Sequence, residues 1–152
     1  MRYFLSTILL FAWGLWIGGQ ATLVLLIVTL FVHDRPTAIH AGPTIFPVFE
    51  KYQLILAAIA IVDCAILAVW TRRKMFISIL VFFIFAAIGG IVSRTLITPR
   101  MVGLWKEQRS EGAEFAELHK RSQLVYNSEF ILLLVGGSMI PAALRPARKT
   151  AA

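Results

Sequence analysis

The chain has 152 residues, 59% of them hydrophobic and only 15% charged. That is room for one domain, with too little charge to cover the surface of a water-soluble one. The net charge of +7 would suggest nucleic acid in a soluble protein. Here the basic residues stand at the ends of apolar blocks and no basic aromatic patch lies outside them, so the reading is retention against anionic headgroups, with no nucleic-acid partner.

The first apolar run extends from Tyr3 to Val32 after Arg2. Its opening resembles a secretory signal, but it continues through Leu23–Val28, well past the h-region of about 7–15 residues of a cleavable signal. It is long enough to cross a bilayer, which takes about 20 residues. A connection follows from His33 to about Lys51, where Pro36, Pro43 and Pro47 argue against one continuous helix. The second span runs over 52–70 and is closed by Thr71-Arg72-Arg73-Lys74, a short basic turn between antiparallel helices. The third runs over 75–98, with Pro99 as its boundary. From Met101 to Arg121 apolar residues recur near helical spacing among charges, which predicts an amphipathic segment at the interface, broken near Gly112. The fourth span covers 122–144, and Arg145, Arg148 and Lys149 form a basic tail.

The expected fold is therefore all-α: a single polytopic transmembrane domain over 1–152, built as an antiparallel four-helix bundle with an interfacial amphipathic segment between helices 3 and 4. The termini and the basic turn share one side of the membrane. Their dense basic residues predict a plasma (inner) membrane protein with cytoplasmic N- and C-termini. The single cysteine, Cys64, excludes an intrachain disulfide and reads as a small hydrophobe.

Lipid supplies no hydrophobic drive between helices, so close packing and hydrogen bonds must hold them together. Small residues are spaced for it on every span: Gly14, Gly18 and Gly19; Ala60, Cys64 and Ala68; Ala86, Gly89, Gly90 and Ser93; Gly136 and Gly137. A homo-oligomer or a membrane partner protein is the other use of such spacing.

Polar groups inside a span are costly and seek a partner or a cavity. Gln20, Asp63, Arg94 and Glu129 are the intramembrane set. Antiparallel threading puts Arg94 roughly 6–7 Å in depth from Glu129 and about 13 Å from Asp63. Arg94–Glu129 is therefore the expected ion pair, and a proton or cation path the functional alternative. On the fourth span His119, Ser122, Tyr126 and Glu129 share one helical stripe with Asn127 beside it. Polar residues entering a membrane on one stripe face the bundle or a water-filled cavity.

The run from Phe115 through His119 to Ser122, followed by Asn127, resembles a signature of the transmembrane protein 205-like family, otherwise called domain of unknown function 4149. Trp16-Ile17-Gly18-Gly19, Ala41-Gly42 with Phe46-Pro47 and Tyr52, and Thr98-Pro99-Arg100-Met101 resemble its other motifs in the same order. The resemblance implies a four-helix membrane domain and makes His119, Ser122 and Asn127 functional candidates; it implies no enzyme activity.

No nucleotide loop, zincin helix, redox cysteine pair or nucleophile elbow is present. The leading expectation is a non-enzymatic bundle that binds a partner, lipid or ion, with no catalytic residue, cofactor or metal assigned. A small oligomeric proton or ion transporter or channel lined by Gln20, Asp63, Arg94 and Glu129 is the alternative. Two readings rank lower: a metal or haem subunit using His33, His40 and His119, which fall on one side, and a lipid enzyme using His119 and Ser122.

Overall fold

A computed structural model describes residues 2–145; Arg148 and Lys149 of the basic tail lie outside them. Six α-helices follow in order: α1 (Arg2–His33), α2 (Arg35–Thr71), α3 (Lys74–Val92), α4 (Thr98–Lys106), α5 (Ala113–Ser138) and α6 (Ile140–Leu144). A π-helical turn, Ser93–Ile97, joins α3 to α4. The segments form four antiparallel rods: α1, α2, α3 with α4, and α5 with α6. Among the described residues these are the 4 helical stretches long and apolar enough to cross a membrane. The chain is a multi-pass membrane protein with an all-α four-helix bundle.

The first connection is shorter than its prolines suggested. α2 runs unbroken through Pro43 and Pro47. Each proline removes one backbone donor and turns one carbonyl aside. Both sit at the loop end of a 37-residue helix about 55 Å long, where freed carbonyls can reach water. Asp34 starts the helix: Thr37 donates its amide to one carboxylate oxygen (3.2 Å) and its hydroxyl to the other (2.6 Å). These donors hold the Asp34 carboxyl below the ordinary carboxylate range, and Pro36 fits the first turn, where no intrahelical N–H is needed.

The third rod also passes its expected end. Pro99 lacks the N–H that would bond one turn back, and the wide π-turn just before it accommodates the ring. The rod then continues to Lys106. The segment expected to lie flat at the interface is instead divided at the 107–112 turn between the end of α4 and the start of α5. Its charges pair across that turn: Arg100 grips Glu114 through Nε and Nη2 (2.8 and 2.6 Å), and Arg109 reaches Glu114 (3.4 Å) and Glu107 (3.2 Å).

At the other end the Arg72–Arg73 turn is tight, with Arg72 in the left-handed region (φ 53°). Arg73 donates through Nη1 to the carbonyls of Ala143 (2.7 Å) and Arg145, tying the turn to the end of α6.

α2 packs along α1 and α3, α3 packs along α5, and α1 meets α5 more sparingly. The core alternates large and small: Trp16, Phe76, Phe83, Leu67 and Leu133 lie against Ala57, Ala60, Cys64 and Ala86, all buried. Trp16 and Phe83 meet at 6.0 Å between ring centroids, and Cys64 donates to the Phe76 carbonyl (3.3 Å). Two glycines of α5 let rings approach its backbone. A Cβ on Gly136 would stand 3.1 Å from the Phe83 ring, and one on Gly137 would overlap the Trp13 indole. Large apolar side chains such as Val62, Val69, Phe85 and Ile131 face outward, as lipid requires and water would punish.

Candidate functional site

One turn of α2 carries Glu50 and Gln53, and one turn of α5 carries Tyr126 and Glu129. Between them, at the α3 end, Gly89 and Gly90 remove two side chains from the interface, and the π-turn that follows presents Ser93 inward. Glu50, Gln53, Ser93 and Glu129 are all 0–1% exposed, and Gln20 of α1 is 3% exposed. The result is a layer of polar side chains closed in by four rods, about 28 Å along α2 from the basic turn at Arg72.

The two carboxylates are held alike. Glu129 accepts at Oε2 from the amides of Gln20 (2.6 Å) and Gln53 (3.3 Å). Glu50 accepts at Oε1 from the hydroxyls of Thr98 (2.5 Å), Ser93 (3.0 Å) and Tyr126 (3.2 Å). The second oxygen of each, Oε1 of Glu129 and Oε2 of Glu50, is buried without a hydrogen-bond partner, as are the amide oxygens of Gln20 and Gln53. No Lys, Arg or His pairs with either carboxylate among the described residues; every ion pair found there lies on exposed side chains. Glycine makes room for the arrangement: a Cβ on Gly89 would stand 2.8 Å from Glu129 Oε1, and one on Gly90 would stand 2.5 Å from Gln53 Nε2.

The expected Arg94–Glu129 ion pair does not form. Arg94 is exposed and reaches only the Pro47 carbonyl, at 3.4 Å. Ser93 continues the buried stripe of Ala86 and Gly90 at ordinary helical spacing and faces the bundle, and its neighbour Arg94 faces out. Asp63 does not join the layer either. It is buried between α1 and α2, ten residues along α2 from Gln53, which is about 15 Å. Trp16, Leu56, Ala60 and Phe83 fill the core on that side of the layer.

The α5 stripe divides. Tyr126 and Glu129 enter the layer, with Phe46 and Phe49 against the Tyr126 ring (6.1 and 6.5 Å). His119 is exposed, stacked on Phe115 and in hydrogen-bond contact with Gln123 (3.1 Å). Ser122 is half-buried and Asn127 exposed. No hydrogen bond joins His119 to Ser122 among the described residues. The three histidines occupy separate places: His33 contacts the Thr29 carbonyl, while His40 contacts the Pro36 carbonyl and meets Trp105 edge-on. Among the described residues no group of three or more His, Cys, Asp or Glu is placed to hold a metal ion.

Of the packing glycines, Gly19 receives Tyr52 and Phe49 (3.2 and 3.3 Å from a Cβ), whereas a Cβ on Gly14 or Gly18 would meet nothing within 4 Å. Among the described residues no side chain packs where a Cβ of either would stand.

The family described as Domain of unknown function (DUF4149) matches residues 11–110, well over half of the chain. The chain belongs to that family. No curated protein and no solved structure matches it. The DUF4149 segment takes in Gln20, Glu50, Gln53, Gly89, Gly90 and Ser93. It ends before His119, Ser122, Tyr126, Asn127 and Glu129, so the polar layer joins the matched segment to α5 beyond it.

Glu50 and Gln53 were the residues hardest to find. Reading 33–51 as a proline-broken connection leaves Glu50 outside any span, and Gln53 stands at the very start of the second. The signal was the helical spacing of Glu50, Gln53, Ala57, Ala60, Cys64 and Leu67, which continues the buried stripe of α2 straight into the supposed loop.

Proposed function

We propose that this DUF4149 protein is a non-enzymatic membrane bundle that binds a small monovalent cation in the polar layer, with Glu129 as its principal ligand and Glu50 on the loop side of it. The observation that carries this reading is the pair of buried carboxylates without a cation, each with one oxygen loaded by donors and the other bare. Buried charge is normally paired, and among the described residues neither carboxylate has a positive partner. The bare groups of the layer are oxygens, of Glu50, Gln53, Gln20 and Glu129, with the bare Trp16 Nε1 in the core beside it, and hard cations select oxygen donors. Glu129 with the two neutral amides of Gln20 and Gln53 balances a single charge, unlike the several-carboxylate cages of tight calcium sites.

Entry from the loop end fits the packing. Glu50 lies on that side of Glu129, with hydroxyls of Ser93, Thr98 and Tyr126 around it, whereas aromatic and aliphatic side chains seal the other side. A through-channel within one chain, lined by Gln20, Asp63, Arg94 and Glu129, is disfavoured because the last two groups do not meet and Asp63 stands apart.

Equilibrium binding of radioactive sodium and rubidium to purified protein in nanodiscs tests the reading. One of the two is expected to bind saturably at about one ion per chain, to be lost in Glu129→Gln and to weaken at least tenfold in Glu50→Gln. Unchanged binding in the double variant, or no saturable binding by the wild-type chain, sinks it.

The basic turn and Arg145 favour a plasma-membrane protein whose N- and C-termini face the cytoplasm. A C-terminal alkaline phosphatase fusion is expected to be inactive; an active one reverses the assignment.

A further inference from the structure

A second carboxylate site lies on the lipid-facing side of the bundle. Between α1 and α2 a shallow groove of about 390 Å³ is lined by Ile8, Ala58, Ile59, Val62, Asp63 and Ile66. Ile59, Val62 and Ile66 are 42%, 58% and 42% exposed, so the groove opens to the surroundings of the bundle, which at this depth are acyl chains. Asp63, 4% exposed, is its floor. The Asp63 carboxyl lies against the backbone of Leu9, and its Oδ2 is buried with no hydrogen-bond partner. No Lys, Arg or His of the described residues pairs with it.

Each feature narrows the occupant. A bare carboxylate oxygen asks for a positively charged N–H donor. Apart from Asp63 the side chains lining the groove are all aliphatic, so a hydrated inorganic ion would lose its water shell with almost nothing in return. An alkyl body among Ile8, Ile59, Val62 and Ile66 instead replaces lipid contact with protein contact at little cost. The volume lies in the range of small-molecule sites, and the opening faces the phase in which such a molecule dissolves. The branched side chains over Asp63 change rotamer on a picosecond-to-nanosecond scale, which gives an ammonium group access to Oδ2.

We propose that this groove binds amphiphilic amines from within the bilayer, setting a protonated amine against Asp63 and the apolar body along the α1–α2 seam. The site is separate from the Glu50–Glu129 layer and stands whether or not that layer binds a cation.

The test is saturable binding of radiolabelled decylamine to the full chain in nanodiscs of zwitterionic lipid, with decanol as the uncharged control. Wild-type protein is expected to bind decylamine saturably and decanol only in proportion to lipid. Asp63→Asn is expected to weaken decylamine binding at least tenfold. Val62→Trp, which fills the groove and leaves the carboxylate in place, should do the same, so a folding failure of one variant does not leave the question open. Glu129→Gln should bind decylamine as the wild type does. Equal binding by wild type, Asp63→Asn and Val62→Trp overturns the proposal. So does saturable decanol binding, and so does an Asp63-dependent dimer, seen by cross-linking, that excludes the amine because a second copy covers the groove.

Discussion

Gly137→Leu is expected to leave little folded bundle in mild detergent, and Gly137→Ala to lower stability by about 2 kcal/mol. The Nε1–Cζ2 edge of the Trp13 indole occupies the place where a Cβ of residue 137 would stand. Its Nε1 donates to the Leu133 carbonyl at 2.9 Å, the same carbonyl that the Gly137 amide meets one helical turn on. Any side chain at 137 must push the indole away, which breaks that hydrogen bond and reopens the seam where α1 and α5 meet sparingly. The sign is set by two magnitudes. Alanine gains up to about 1 kcal/mol over glycine from helix propensity, and overpacking costs about 1–3 kcal/mol. Here the obstacle is a rigid ring rather than the end of a flexible chain, so overlap wins. Denaturation by sodium dodecyl sulfate followed by circular dichroism measures it. Trp13→Ala should restore much of the helical signal lost in Gly137→Leu, because the ring that collides is gone. A Gly137→Leu chain as stable as wild type would mean that α1 does not pack on α5 in this way.

How far the sequence revealed the fold depended on which physical signal carried each element. Four apolar stretches and the basic turn at Arg72–Lys74 placed every rod and its direction, because a membrane span is a matter of length and hydropathy. The ends were misjudged where proline was taken as a stop: α2 passes Pro43 and Pro47, and the third rod passes Pro99. A proline weakens one or two hydrogen bonds, and packing together with water at a helix end outweighs that loss. The site was half legible for the same reasons. Gln20, Tyr126 and Glu129 stood out as polar residues in apolar or striped contexts. Glu50 was hidden by the misread prolines. Depth along a helix follows from counting and pairs Arg94 with Glu129, whereas angle follows from the buried stripe, in which Ala86, Gly90, Ser93 and Ile97 leave Arg94 outside. His119 and Ser122 share the stripe's spacing with Tyr126 and Glu129, yet stand nearer the loop end of α5, where the bundle no longer encloses them, and Asn127, beside the stripe, faces out.

Removing the Glu129 carboxylate should separate what the polar layer does for folding from what it does for binding. Glu129→Leu leaves the Gln20 and Gln53 amides buried without their acceptor. An orphaned buried donor costs about 1–3 kcal/mol, reduced in a membrane because the unfolded chain there also finds partners, so a net loss of about 2 kcal/mol is expected. Glu129→Gln keeps an acceptor oxygen of the same reach and should cost less than about 1 kcal/mol. The decisive chain carries Gln20→Leu, Gln53→Leu and Glu129→Leu together. With both donors and their acceptor replaced by apolar groups of similar size, no partner of Glu129 is left unpaired, and stability should return to the wild-type value or exceed it. Detergent denaturation measures all three, with cation binding measured on the same samples. A triple variant that folds as well as the native chain but binds no cation would show that the bundle carries Glu129 for its chemistry and at some expense to its own stability. A triple variant as unstable as Glu129→Leu would show instead that the polar network itself holds the four rods together, and the cation would lose its claim as the reason Glu129 is there.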